Sequence, residues 1–243
     1  MTLAKRIIPT MLVRDRTLVK GKRFAGDRSI GHAMQAAQVH ARRGVDELMI
    51  LDIGATKEGR GPDLEMVREL SAGLFIPLTV GGGIKTLQDI DALLRAGADK
   101  VCIGSAFHTE PALITQASAR FGRQAIVVSL DVAAVAKEPC VVWSHAVPRA
   151  LNMEYIGAGE ILLQSVDRDG TMEGYDLDLI REVSNAVDIP VIASGGCSGY
   201  DDMLAAFEAG ASACAAGALF AFTDAIPKGA AQYLKARGLE VRL

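Results

Sequence analysis

VGGGIKTLQDIDALLRAGADKVCIGSAF (residues 80–107) lines up without a gap with ASGGCSGYDDMLAAFEAGASACAAGALF (193–220), at a constant offset of 113 residues. Each block reads as a strand end, a glycine turn, an amphipathic helix, a second glycine, a strand and a third glycine turn. Across residues 87–96, Ile90, Leu93 and Leu94 share one face, the spacing of a helix that packs on a sheet. RAGADK and EAGASA each end a helix in glycine just before the next strand. The same offset carries Glu47 of DELMILD onto Glu160 of GEILLQS. A chain that repeats itself over such a distance is predicted to be two fused half-barrels of four strand–helix units each.

Outward from these blocks, short runs rich in Val, Ile and Leu recur at 7–13, 47–51, 77–80, 100–103, 125–130, 160–165, 190–193 and 213–216. Each is nearly continuous in hydrophobicity, which suits a strand covered on both faces. Helical patterns at 31–43, 64–72, 87–96 and 177–186 lie between them. Eight such units in 243 residues predict a (β/α)8 TIM barrel spanning 1–243, with halves of about 1–120 and 121–243. A doubly wound sheet also alternates strand and helix but usually needs fewer strands.

Composition narrows the functional classes. Half of the residues are hydrophobic, which excludes a disordered chain. With 26 basic against 29 acidic residues and few aromatics, neither a basic footprint nor a base-stacking platform for nucleic acid is present. The longest apolar run, 213–222, is about half of the roughly 20 residues that a membrane span needs. Cys102, Cys140, Cys197 and Cys214 are scattered with no CxxC, so free thiols, a cytoplasmic location and no metal or other cofactor are expected.

Barrels place function at the C-terminal ends of their strands. There GGG (81–83) ends the third strand, GSA (104–106) follows the fourth, SGG (194–196) ends the seventh and GAL (217–219) follows the eighth. Glycine lets backbone N–H groups approach an anion closely, and a helix N-terminus adds a favourable dipole. Two anion sites across one mouth are therefore expected. Gly82, Gly83, Gly104 and Ser105 form one set, and Gly170, Gly195, Gly196, Gly217 and Ala218 the other. A phosphorylated small molecule with a phosphate at each end would satisfy both. Tight-turn duty is the alternative reading of each cluster.

LAKRIIP, DELMILDI, LTVGGGI, GADKV, FGRQAIVVSLD, GAGEILLQSVDRDGT and VIASGG together resemble the cyclase subunit of imidazole glycerol phosphate synthase, over essentially the whole chain. In that family a partner glutaminase makes ammonia, which crosses the barrel interior to react with a bis-phosphorylated intermediate. Two aspartates, at the ends of the first and fifth strands, act as general acid and base. The fifth-strand residue is Asp131; at the first-strand position stands Leu12, which cannot move a proton. Gly104-Ser105, Gln164 and Ala218 also depart from the family pattern at the mouth. The stretch from Asp131 to Glu160 is shorter than the family norm.

The resemblance also implies a glutaminase in heterodimer at the N-terminal face. Its ammonia gate would be Arg6, Glu47, Lys100 and Glu160, with Asp99 at the contact. Without the resemblance, those four charges read equally well as a salt-bridge cluster capping the core. Lys20 matches a mobile-loop phosphate contact, and Asp52 and Asp169 match acidic substrate-binding residues of the mouth. Leucine at position 12 inside IPTMLVRD resembles the cyclase-like proteins of surface-polysaccharide (lipopolysaccharide) pathways. There the glutaminase–barrel pair supplies ammonia to an amidotransferase that converts an acetamido sugar into an acetamidino sugar. The resemblance thus implies that role first, a histidine-pathway cyclase second, and a non-catalytic phosphate-binding scaffold for a glutaminase third. Met11 and Met49 read as barrel filling, and His108 as a loop histidine.

Overall fold

A computed structural model describes residues 4–133 and 152–241. Cys140, Trp143 and His145 lie outside these, as does most of the shortened stretch between Asp131 and Glu160. Eight parallel strands close into a barrel in the order β1 (Arg6–Arg14), β4 (Leu48–Asp52), β5 (Leu78–Gly81), β6 (Lys100–Ile103), β7 (Ile126–Val132), β8 (Glu160–Ser165), β9 (Val191–Ser194) and β10 (Ala213–Ala216). β10 pairs back onto β1 with Arg6 opposite Ala213 and Pro9 opposite Ala216. This is the (β/α)8 TIM barrel that the repeat predicts.

Strand residues alternate between two cores. Ile8, Met49, Cys102, Val127, Leu162, Ile192, Ala213 and Ala215 fill the barrel, with Leu51 packed against them. Ile7, Met11, Leu48, Ile50, Val80, Val101 and Ile126 face the surrounding helices. Each such side chain contributes about 1.5–3 kcal/mol when fully buried. Met49 fills the barrel as expected, whereas Met11 belongs to the outer layer, because the alternation of β1 turns it toward the helices.

Several elements recur at the repeat offset. Helix Leu64–Gly73 and helix Leu177–Ser184 start at the repeat offset, each capped by an aspartate, Asp63 or Asp176, that accepts from the backbone N–H three residues on. Helix Leu87–Arg95 and helix Tyr200–Glu208 also correspond, and the first carries a capping box between Thr86 and Asp89. Gly82 and Gly195 show why the matched glycines are needed. Both have positive φ and lie so close to the carbonyl oxygens of Asp52 and Ser165 that a Cβ would overlap them.

One element went unforeseen. After β1 the chain makes a hairpin, β2 (Thr17–Lys22) and β3 (Ala25–His32), before helix Ala33–Arg42. Hairpin turns with left-handed backbone normally announce themselves through Asn or Gly. Here Asp15, Arg16, Arg23 and Phe24 occupy those positions with φ of 49, 61, 53 and 59°. The expected helix over 31–43 consequently starts at Ala33, because Gly31 and His32 finish β3. β1 also changes partner along its length: Arg6–Pro9 pair with β10, whereas Leu12–Arg14 pair with β2. No helix among the described residues is long and apolar enough to cross a membrane.

Candidate active site

Asp131 ends β7 with Gln164 of β8 as its register partner. The Ser129 hydroxyl donates to its carboxylate at 2.9 Å. Enclosure of the carboxyl pushes its pKa up to about 6; the Ser129 hydrogen bond opposes the rise, and the negative charge of Asp169 adds to it. Such a group both gives and takes a proton near neutral pH. Leu12 occupies the matching end of β1, beside Leu51 of β4 and Val19 of β2. Its side chain is only partly covered. Position 12 itself supplies no carboxylate.

Leu12 lines a narrow cleft together with Thr10, Lys20, Gln164, Asp169, Gly170, Ser194 to Cys197 and Ala215 to Ala218. All five members of the second expected anion set, Gly170, Gly195, Gly196, Gly217 and Ala218, are therefore brought together. Lys20 enters from β2 and is only 8% exposed. Its ammonium donates to the Thr10 carbonyl at a long 3.4 Å and rests on Gly217, where any Cβ would displace it. Burial pulls its pKa down to about 8, with Asp169 pulling the other way. An ammonium so enclosed and so weakly partnered favours an anion beside it. Asp169 accepts from the Gln164 amide at 3.3 Å, and burial raises its pKa against the pull of Lys20.

The hairpin covers this cleft. The Arg23 N–H donates to the Asp169 carbonyl at 2.9 Å, and its Nε to the Asp167 carbonyl at 3.1 Å. Gly170 lies against the Gly21 carbonyl with no room for a Cβ. Lys20 is thus a buried strand residue held by a docked hairpin, in place of the loop contact that the resemblance implies. Pairing of Leu12–Arg14 with β2 carries it into the cleft.

The first expected anion set does not line this cleft. Gly82 and Gly83 pack against the backbone of the Asp52–Gly61 loop, while Gly104 precedes a short helix, Ser105–Thr109. Asp52 is occupied with its own loop: it accepts from the N–H groups of Gly54 and Ala55 at 2.9 and 3.0 Å and from Arg60 at 3.1 Å. Asp52 and Arg60 also line an open pocket with Asp15, Arg16 and Asp63, and Arg60 is a partner that the sequence reading missed.

At the opposite end of the barrel, all four expected gate residues meet. Arg6 reaches Glu47 at 2.9 Å and Glu160 at 3.2 Å, and Lys100 reaches the same two at 3.0 and 3.1 Å. The Thr79 hydroxyl donates to the remaining Glu47 oxygen at 2.6 Å. Thr79 was not singled out, although a fully buried polar residue inside the apolar run PLTV is a usable signal. Asp99 accepts from the Leu78 N–H at 2.8 Å. Between the two ends sits Cys102, whose thiol burial holds protonated, with the charges of Asp131 and Glu47 reinforcing this.

Among the described residues no group of His, Cys, Asp and Glu is placed to hold a metal ion. A family model described as histidine biosynthesis protein matches residues 6–226. Barrel, mouth and charge ring all fall inside that span, and the chain belongs to the histidine biosynthesis protein family, whose members are enzymes.

Proposed function

We propose that this chain is the ammonia-conducting barrel subunit of a glutamine amidotransferase pair. It supplies ammonia for acetamido-to-acetamidino conversion of a nucleotide sugar in surface-polysaccharide synthesis and has lost efficient imidazole formation. The observation that carries the reading is the contrast between the two ends. The ring of Arg6, Glu47, Lys100 and Glu160 is complete, each acid bridged by both bases. At the mouth, Leu12 stands where the family resemblance implies the proton-transfer partner of Asp131. Removing one member of an acid–base pair costs about 10²- to 10⁴-fold in rate. Family members work with a glutaminase, and here it would dock on the ring. Lys20 with Gly170, Gly195, Gly196, Gly217 and Ala218 would hold one phosphate, and Gly82, Gly83, Gly104 and Ser105 a second. A sugar amidotransferase is the downstream partner.

The histidine-pathway cyclase is the second reading. It is favoured by the pKa of Asp131 near 6 and by Asp169 and Lys20 in the same mouth. Turnover of the bis-phosphorylated imidazole precursor separates the two, measured with free ammonium and with glutamine plus the partner. The wild type is expected to turn over poorly. Leu12→Asp is expected to raise the rate without restoring it, because misplacement by Gln164 and Ala218 alone costs about a hundredfold. A wild-type rate of roughly 10 per second, typical of enzymes, would establish the histidine-pathway reading instead.

A further inference from the structure

We infer that Gln164 is a positioning residue that holds Asp169 away from Lys20 and so leaves the Lys20 ammonium open to an anion. The inference rests on the reading of this cleft as an anion site, proposed above.

The placement follows from the pleat of β8. Glu160 joins the charge ring, Leu162 fills the barrel, and Gln164, two residues further on, brings an amide up to the mouth. Its register neighbours are Asp131 of β7 and Ser194 of β9. Gln164 is 8% exposed, and Gly195 makes room for it: a Cβ there would lie 3.1 Å from the amide nitrogen. A buried amide needs polar partners. This one donates to Asp169 Oδ1 at 3.3 Å.

Asp169 is held from two sides, by this amide and by the Phe24 backbone N–H of the hairpin. Its charge is felt at Lys20 across the same cleft, yet among the described residues the two form no ion pair. Lys20 is left donating to the Thr10 carbonyl at 3.4 Å. An enclosed ammonium and carboxylate attract strongly once their hydration is gone. Were they to close on each other, the cleft would neutralise itself, and an entering anion would first have to break the pair. Gln164 opposes that closure by engaging one Asp169 oxygen. A carboxamide suits the duty, since it donates to a carboxylate without adding a charge that would repel or capture the anion.

Calorimetric titration of the full chain with inorganic phosphate at pH 7 tests this, using wild type, Gln164→Leu, Asp169→Asn and the double variant. Wild type is expected to bind phosphate, and Gln164→Leu to bind it about tenfold more weakly, because Asp169 is released to Lys20. Asp169→Asn removes the competitor, so the double variant is expected to return to within about threefold of wild type. A merely structural role for Gln164 would give no such rescue. Gln164→Asn, one methylene shorter and unable to reach Asp169, carries the same expectation should the leucine variant not fold. Gln164→Leu binding like wild type, or a double variant as weak as Gln164→Leu, would overturn the inference and leave the anion site standing. Phosphate binding by Asp169→Asn but not by wild type would overturn it too, by showing that Asp169 already reaches Lys20. Wild type and Asp169→Asn both indifferent to 10 mM phosphate would overturn the anion site and the inference together.

Discussion

Asp131 and Leu12 occupy equivalent strand ends and have opposite consequences for the chain. The raised pKa of Asp131 means that the folded state holds the proton more tightly than the unfolded chain, whose carboxylate titrates near 4. Folding stability from this group is therefore greatest below about pH 4 and is lost as pH rises toward 6. Asp131→Asn is expected to raise the melting temperature at pH 7.5 and to match wild type at pH 4. The gain at pH 7.5 should be of the order of 1–3 kcal/mol in a calorimetric pH series. Equal melting temperatures at both pH values would show that the carboxyl is better solvated than its enclosure indicates. Leu12, with Leu51 and Val19 as its register neighbours, has no proton to exchange and carries no such pH-dependent cost. The identities of both residues were plain in the sequence. The enclosure that tunes Asp131 was not, since it comes from Ser129, Gln164 and Asp169 converging from β7, β8 and the loop beyond.

The hairpin β2–β3 shows where local sequence stops informing. The barrel strands and the helices at 64, 87 and 177 follow from hydrophobic period, because each buries a face whose spacing is fixed by its geometry. The hairpin buries one of its strands only: Leu18, Val19 and Lys20 of β2 are covered, whereas in β3 only Asp27 and Ile30 are even partly so. Its turns use Asp, Arg and Phe in left-handed conformations, so neither period nor turn chemistry reveals it. What holds it is distant, chiefly the Arg23 contacts to Asp167 and Asp169 and the close approach of Gly21 to Gly170. Gly170→Ala would push a methyl group into the Gly21 carbonyl and loosen the hairpin. Tryptic cleavage after Lys22 and Arg23 is then expected to accelerate by about tenfold, as for a local opening made easier by roughly 1.4 kcal/mol. An unchanged digestion rate would mean that the backbone at Gly21 yields instead. The glycine runs at 81–83 and 194–196 were legible as special, and the structure gives Gly82 and Gly195 the same close-approach duty in both halves.

Across the whole barrel, charge is sorted by end. Arg6, Glu47, Lys100 and Glu160 close the N-terminal face, and Glu47 is nearly fully buried with both oxygens used. Glu47→Gln leaves Arg6 and Lys100 with Glu160 as their shared counter-charge. Breaking a buried pair costs about 3 kcal/mol, which in a chain of this size lowers the melting temperature by roughly 6–12 °C. Raising salt to 0.5 M should change that gap by less than about a third, because buried pairs are poorly screened. A gap that vanishes in salt would place the ring in water. The other end of the barrel has its own consequence, one of timing. The first strand, β1, leaves β10 after Pro9, and the cleft lies at this parting, built from Thr10, Lys20, Gly217 and Ala218. During synthesis Thr10 emerges some two hundred residues before its cleft partners on and after β10. A ribosome-bound fragment lacking them has no seam to close and nothing to hold an anion. Any anion that the cleft favours can therefore reward only the finished barrel, acting at the join of its first and last strands as a clasp that fastens once translation has passed β10.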